Sequence, residues 1–176
     1  MCKDIIILNR RSIKQIASYK DQGYMIIDVT SKSDSQFIKC SPFYPHGNIE
    51  VPGLKDVYSE SVEAIWQGLK VFTDCTEDYS KFNIKNMKHI KRSCNKYGRV
   101  LGHKFGEDII DYNSARVNIY LPAYNWVIVN KLQDLMEELV TYNKLVLLDY
   151  TTNEDINNLR KPLSHASLIK AHLLSH

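Results

Sequence analysis

Long apolar runs are missing from this sequence. Nothing approaches the roughly twenty residues that a bilayer-spanning helix needs. The first hydrophobic stretch, Ile5-Ile6-Ile7-Leu8, stops after four residues. That is too short for the core of a secretory leader, and no small-residue cleavage site follows it. The chain is therefore expected in the cytosol, without a membrane partner. Cysteine is also scarce: Cys2, Cys40, Cys75 and Cys94 lie far apart and form no Cys-x-x-Cys pair. The absence of metal-ligand spacing argues against a zinc site built from them and predicts free, reduced thiols. The sequence also lacks a phosphate-binding glycine loop, a His-Glu-x-x-His pattern and a Gly-x-Ser-x-Gly elbow. Neither a metal nor a cofactor is expected. With no repeat, low-complexity stretch or Pro/Gly-rich linker to mark a boundary, residues 1–176 read as one domain.

What is present suits a globular chain. Hydrophobic residues make up 44% and charged residues 24% of 176 positions, enough to bury a sizeable core. The net charge of +3 is modest, but its distribution is uneven. Residues 85–104 carry seven Lys or Arg (Lys85, Lys88, Lys91, Arg92, Lys96, Arg99, Lys104), two His, and no Asp or Glu. Such a segment is either a solvated helix face or a surface that waits for an anion.

The period of the apolar residues predicts an α+β fold, predominantly helical with a few short strands. A strand over 4–8, a helix over 12–20 and a second strand over 24–29 open the chain. Residues 31–57 are rich in Pro, Gly, Ser and Asp, with short extended pieces around Phe37 and Ile49. Within them, Ser41-Pro42-Phe43-Tyr44-Pro45-His46-Gly47 fixes a rigid loop suited to holding a ligand. Ser59 is a plausible cap for a helix whose apolar stripe is Val62, Ile65, Trp66, Leu69 and Phe72. A third helix is expected over 84–97, closed by Gly98. Residues 113–142 read as one or two helices, with Pro122 kinking the run or starting the second. A buried strand over 145–149 ends on Asp149, and Ser164 caps a last helix over 165–174.

The helix after Ser59 is the most informative segment. At 100° per residue, Glu63, Gln67 and Lys70 share one face beside the apolar stripe. Ala64 and Gly68 form a small-residue face that another backbone could approach. Carboxylate, amide and ammonium at the rim of a core could line a pocket; solvated charges near a helix start are the plain alternative.

The loop Ser41-Pro-Phe-Tyr-Pro-His-Gly, followed by Val62-Glu63-Ala-Ile-Trp-Gln67-Gly68-Leu-Lys70, resembles the signature of the NADAR superfamily. There a Ser/Asn-Phe-Tyr-Pro loop precedes a Val-Glu-x-x-x-Gln-Ala-x-Lys helix. Phe43, Tyr44, Pro45, Val62, Glu63, Gln67 and Lys70 match, and Gly68 replaces the usual Ala. Asn95-Lys96-Tyr97-Gly98-Arg99 resembles a later Gly-Arg step. A longer resemblance is to an uncharacterised bacterial and phage offshoot of NADAR. It extends through Tyr97-Gly-Arg-Val-Leu-Gly-His, Ile119-Tyr-Leu-Pro-Ala-Tyr, Leu147-Leu-Asp-Tyr and Pro162-Leu-Ser-His-Ala, and brings no known activity with it.

The NADAR resemblance implies hydrolysis of N-glycosidic bonds in nucleotide-like small molecules or ADP-ribosylated nucleic acid. Cleavage at an anomeric carbon passes through an oxocarbenium-like state, so a carboxylate must steady positive charge or activate water. Glu63 is the candidate for that role. Asp149 is the candidate second acid, with Asp155 as the alternative. Ser41, Phe43, Tyr44, Gln67 and Lys70 would contact the ligand. Trp66 could stack on a base, although its place on the apolar stripe favours the core. Arg99, His103 and the basic cluster would meet phosphates. Arg116 either clamps a phosphate or bridges to Asp111, and Tyr120 and Tyr124 could pair across a helix turn. The NADAR C-terminal pattern of Asp, Trp-Gly and Gly-x-Asn is replaced here by Asn153-Glu154-Asp155 and Leu163-Ser164-His165-Ala166. The Ser164 helix start could bind an anion through its free N–H groups, and His165 is either a site residue or structural. The rivals are a protein that sequesters an ADP-ribose-derived or cyclic nucleotide without turnover, and a nucleic-acid binder. Self-association is left open.

Overall fold

A computed structural model describes residues 3–175. The fold is α+β, with helix outweighing strand. It divides into two compact units, residues 1–41 with 128–176 and residues 42–127.

The first unit is built on three parallel strands. β1 (Asp4–Asn9) and β2 (Met25–Asp28) flank β8 (Lys144–Asp149), giving the order β1-β8-β2. Leu145 to Leu148 are all buried. Leu8, Val146 and Leu148 form one side of the sheet and pack with Ile16 and Tyr19 of α1 (Ile13–Asp21). On the opposite face lie Ile5, Ile7, Ile27, Leu145 and Leu147, and α7 (His165–Ser175) packs on β1 and β8. A sheet covered on both sides has no polar face, so its strands read as continuous apolar runs rather than alternating ones. The piece around Phe37, expected to be extended, is a 3₁₀ turn, Gln36–Cys40. Ser35 initiates it by accepting from the Phe37 N–H, and Phe37 and Cys40 are buried beneath it.

The second unit departs further from expectation. β3 (Ile49–Glu50) and β4 (Tyr58–Ser59) pair antiparallel. Ser59 therefore sits in a strand, and Ser61 caps the next helix by accepting from Ala64 N–H at 3.1 Å. That helix, α2 (Val62–Gly68), is shorter than the apolar stripe suggests. From Lys70 the chain becomes β5 (Lys70–Phe72), which pairs with β6 (Val100–Phe105); β6 pairs in turn with β7 (Asp108–Ile110). Val62, Ile65, Leu69 and Phe72 are buried in either reading, so the stripe alone could not tell helix from strand at its end.

Gly68 shows why α2 stops. A Cβ there would lie 2.5 Å from Phe82 and 3.1 Å from the Asp78 carbonyl, and the Gly68 carbonyl accepts from Asp78 N–H at 2.7 Å. The small face of Ala64 and Gly68 is indeed where another segment comes close: the 3₁₀ turn Tyr79–Asn83 packs on it. The helix expected over 84–97 is reduced to α3 (Cys94–Tyr97), ended by Gly98 at φ +82°. The ten residues before it are irregular, and His89 takes a positive φ. After α4 (Tyr112–Ala115), a π turn (Arg116–Tyr120) leads into α5 (Leu121–Lys131), with Pro122 in its first turn. α6 (Gln133–Val140) completes the helices of the former 113–142 run. Cys40, Cys75 and Cys94 are free thiols; Cys2 lies outside the described residues.

Candidate functional site

The loop and helix that carry the sequence signature are tied together by the backbone. Glu63 N–H donates to the Pro42 carbonyl at 2.8 Å, and Gly47 N–H donates to the Glu60 carbonyl at 3.0 Å. The rigid loop is thereby held against the first turn of α2, which brings half-buried Phe43 and Tyr44 to the helix that bears Glu63. Tyr44 meets His46 at 4.8 Å between ring centres, and the Lys91 ammonium lies 5.4 Å from the Phe43 ring centre. Ser41 belongs to the first unit, where it is buried and its N–H donates to Ile38.

Glu63, Gln67 and Lys70 form one connected array although Lys70 has left the helix. Gln67 Nε2 donates to Glu63 Oε1 at 2.7 Å, and Lys70 Nζ donates to Gln67 Oε1 at 3.2 Å. The backbone N–H of Arg92 also donates to Gln67 Oε1, at 3.1 Å. Two donors on the same oxygen fix which end of the amide faces Glu63. Burial lowers the Lys70 ammonium from its ordinary range; the Glu63 carboxylate opposes this, while Lys91 and Arg92 reinforce it.

Arg92 corrects the reading of the basic segment. Its guanidinium is buried and donates to the carbonyls of Gln67 (3.2 Å), Lys70 (2.7 Å) and Thr76 (2.6 Å), and to Cys75 Sγ (3.2 Å). It also lies over Phe72 and Tyr97. Arg92 therefore gathers the carbonyls around the end of α2 and the start of β5 instead of meeting a phosphate. No side-chain pattern in the sequence distinguishes it from its exposed neighbours Lys91, Lys96 and Arg99. The Arg99 backbone pairs with Thr73, and its side chain stays exposed.

His103, expected to meet phosphates, is drawn into the interior. On β6 it sits opposite Lys70 of β5 and Ile110 of β7, fully buried, with its ring 3.9 Å from that of Trp66. Burial, with the Lys70 charge beside it, pushes His103 down to about 3. It is therefore neutral at ordinary pH and cannot meet an anion as a cation. Neither ring nitrogen has a hydrogen-bond partner among the described residues. Trp66 is half-buried and meets the edges of Tyr112 and Tyr120 as well. Tyr120 and Tyr124 do pair, nearly parallel at 6.1 Å. Arg116 is buried, donates to the Tyr112 hydroxyl at 3.1 Å and lies over that ring.

Asp149, Ser164 and His165 come together in the first unit. Asp149 Oδ2 accepts from Ser164 Oγ at 2.7 Å and His165 Nδ1 at 3.0 Å, with Ala166 N–H at 3.4 Å; Oδ1 accepts from Tyr150 N–H at 2.7 Å. Ser164 is thus a donor to Asp149. The anion at the start of α7 is the chain's own carboxylate, which takes the place expected for a bound one. His165 Nε2 faces the Val29 carbonyl at 2.9 Å. An acceptor faces each ring nitrogen, an arrangement that favours the protonated imidazole. Burial opposes that charge, but Asp149 and the Val29 carbonyl outweigh it, so the His165 pKa is raised. Burial likewise pushes the Asp149 carboxyl up; His165, Ser164 and Tyr150 overcome it and hold it at about 2. Asp155 caps its own loop by accepting from Asn157 N–H. Among the described residues no group of three His, Cys, Asp or Glu side chains is placed to hold a metal ion. Among them also, no helix is long and apolar enough to cross a membrane.

A family model matches residues 8–169, that of the family of unknown function DUF6939. The match spans both compact units and all of the residues weighed above as site candidates. A search of curated proteins found no match to the chain.

Proposed function

We propose that this chain, which belongs to the family of unknown function DUF6939, hydrolyses an N-glycosidic bond in an ADP-ribose- or nucleotide-derived substrate in the cytosol. The observation that carries this reading is the array in which Gln67 holds the Glu63 carboxylate by one end of its amide and the Lys70 ammonium by the other. The likeness of this loop and helix to NADAR supplies the reaction class. Glu63 stabilises the oxocarbenium-like transition state or takes a proton from the attacking water. Gln67 fixes the carboxylate's direction and links it through one amide to Lys70. Phe43 and Tyr44, tied to the same helix, offer rings to the base. The exposed Lys91, Lys96 and Arg99 offer charge to phosphates.

A second reading is favoured by Asp149. The residue expected to serve as second acid already has hydrogen bonds from Ser164, His165 and Tyr150. A protein that keeps the binding half of the site without turnover would sequester its nucleotide intact. Mass spectrometry of small molecules separates the two. The protein is incubated with NAD, ADP-ribose and ADP-ribosylated guanosine or DNA, with Glu63→Gln in parallel. A released base or free ADP-ribose that vanishes in the variant supports hydrolysis. Survival of every substrate, with one recovered intact from denatured protein, supports sequestration.

A further inference from the structure

Hydrolysis of a glycoside whose base is attached through an uncharged nitrogen needs a proton as well as a carboxylate. When the bond to the anomeric carbon breaks, its electron pair stays on that nitrogen, and an acid must meet it. Asp149 is already committed to Ser164, His165 and Tyr150. The array that holds Glu63 contains a different proton donor, the Lys70 ammonium. That ammonium is half-buried, and one of its three N–H donors is engaged, with Gln67 Oε1 at 3.2 Å. Among the described residues this is its one side-chain hydrogen bond, and the acceptor is a neutral amide rather than a carboxylate. Two donors are left for a ligand.

A charged group sunk against an uncharged partner is costly to keep. A methionine would pack the same stem without that cost, so packing gives no reason for lysine here. What the amine adds is a proton that it can give up. The groups packed around it act on that proton. Burial favours its loss; Glu63 of α2 and Cys94 of α3 oppose this, while Lys91 and Arg92 of the irregular segment reinforce it. The facing residue on β6 is His103, which stays neutral. The balance holds Lys70 below the ordinary lysine range, in the direction that suits acid catalysis near neutral pH.

We propose that Lys70 is the general acid of the reaction, delivering a proton from Nζ to the departing base while Glu63 receives one from the attacking water. This rests on the N-glycoside reading and deepens it by naming the second catalytic residue, a role that Asp149 does not fill. The bond between the anomeric carbon and the base nitrogen breaks, and its electron pair takes the Lys70 proton. The water oxygen bonds to the anomeric carbon as its own proton passes to the Glu63 carboxylate. The products are the neutral base and the free sugar. Both side chains recover their starting protonation by exchange with solvent.

The test uses two substrates that carry the same ADP-ribose and differ in what leaves. Guanosine ADP-ribosylated on its amino nitrogen leaves from an uncharged atom and needs the proton. The nicotinamide of NAD is already a cation and leaves as a neutral ring without one. Lys70→Gln should slow guanosine release about 10²–10⁴-fold and NAD cleavage far less. Lys70→Arg keeps the charge but holds its proton too tightly to give it up, so it should resemble Lys70→Gln. A companion measurement needs no variant: in the parent, kcat/KM for guanosine release should fall as pH rises through the Lys70 pKa, and that for NAD should not. If NAD is not cleaved at all, the alkaline fall in the parent and its loss in Lys70→Gln carry the test. Equal losses on both substrates in Lys70→Gln, full activity in Lys70→Arg, or no alkaline fall in the parent would overturn the role of Lys70 and leave hydrolysis standing. A parent protein that cleaves neither substrate removes the N-glycoside reading and this inference together.

Discussion

Arg92 sets the orientation of Gln67 without using its side chain. Its backbone N–H donates to Gln67 Oε1, while its guanidinium binds the Gln67 carbonyl. One residue thus anchors both the main chain and the amide of the group that joins Glu63 to Lys70. The anchor comes from an irregular stretch 25 positions away in sequence, which a helix through the same residues could not supply.

That dependence can be measured. Arg92→Lys keeps the charge but cannot span the carbonyls of Gln67, Lys70 and Thr76, because an ammonium lacks the flat fork. The expected loss is about 2–4 kcal/mol, the scale of losing one or two buried hydrogen bonds from a charged donor. Exposed Lys96→Gln should change stability by less than about 0.5 kcal/mol. Urea denaturation of both variants checks the contrast; equal losses would mean that the guanidinium contacts contribute little.

Gly68→Ala tests the close approach at the end of α2. Helix propensity alone favours alanine by about 1 kcal/mol. The new methyl would lie 2.5 Å from the buried Phe82 ring and 3.1 Å from a backbone oxygen, and overpacking of that kind costs about 1–3 kcal/mol. The net expectation is a destabilised protein. A variant as stable as the parent would show that Phe82 yields readily.

How far the sequence foretold this arrangement depends on where the determining contact lies. The first unit was legible because its signal is local and redundant: strands buried on both faces show unbroken apolar runs at Ile5–Leu8 and Leu145–Leu148. The spacing of Glu63, Gln67 and Lys70 was legible too, since a strand that leaves the helix end still returns Lys70 to Gln67. The helical reading of 84–97 failed because Ile84, Met87, Ile90 and Cys94 have helical spacing by themselves. The burial of Arg92 among distant carbonyls outweighs it and is invisible in the spacing. The strands β5, β6 and β7 are short and owe their existence to pairing with one another, so neighbouring residues announce them weakly. Asp149 and His165 were both singled out, but their mutual ion pair is a tertiary contact that neither position reveals.

The Asp149–His165 pair predicts a pH dependence with a definite sign. Asp149 has a depressed pKa, so its contribution is present above the unfolded value near 4 and is lost as pH falls through about 2. His165 has a raised pKa; its contribution is full below the unfolded value of about 6.5 and is lost as pH rises through the folded one. The pair therefore contributes most from about pH 4 to 6.5. Urea midpoints across pH 3–9 should show the parent losing an increment on both sides of that window, on top of what other groups contribute. In Asp149→Asn the difference from the parent should shrink toward either extreme. A difference constant with pH would mean that the two groups do not interact as ions.

The basic segment makes the last prediction, about the size of the substrate. With Arg92 and His103 withdrawn into the interior, the exposed charges left between 85 and 99 are Lys85, Lys88, Lys91, Lys96 and Arg99. On a single-stranded nucleic acid each phosphate they neutralise should add about −0.7 to the slope of log affinity against log salt. If the substrate is a small nucleotide with a diphosphate, the slope stays shallow, and Lys85→Gln or Lys88→Gln changes it little. If the reacting nucleotide is part of a polymer, the slope is steep, and each of these variants flattens it by roughly one phosphate's share. Fluorescence anisotropy with labelled ADP-ribose and with a labelled ADP-ribosylated oligonucleotide, from 50 to 300 mM salt, gives both slopes on one protein. A steep slope for the oligonucleotide that survives the lysine variants would place the polymer elsewhere on the surface.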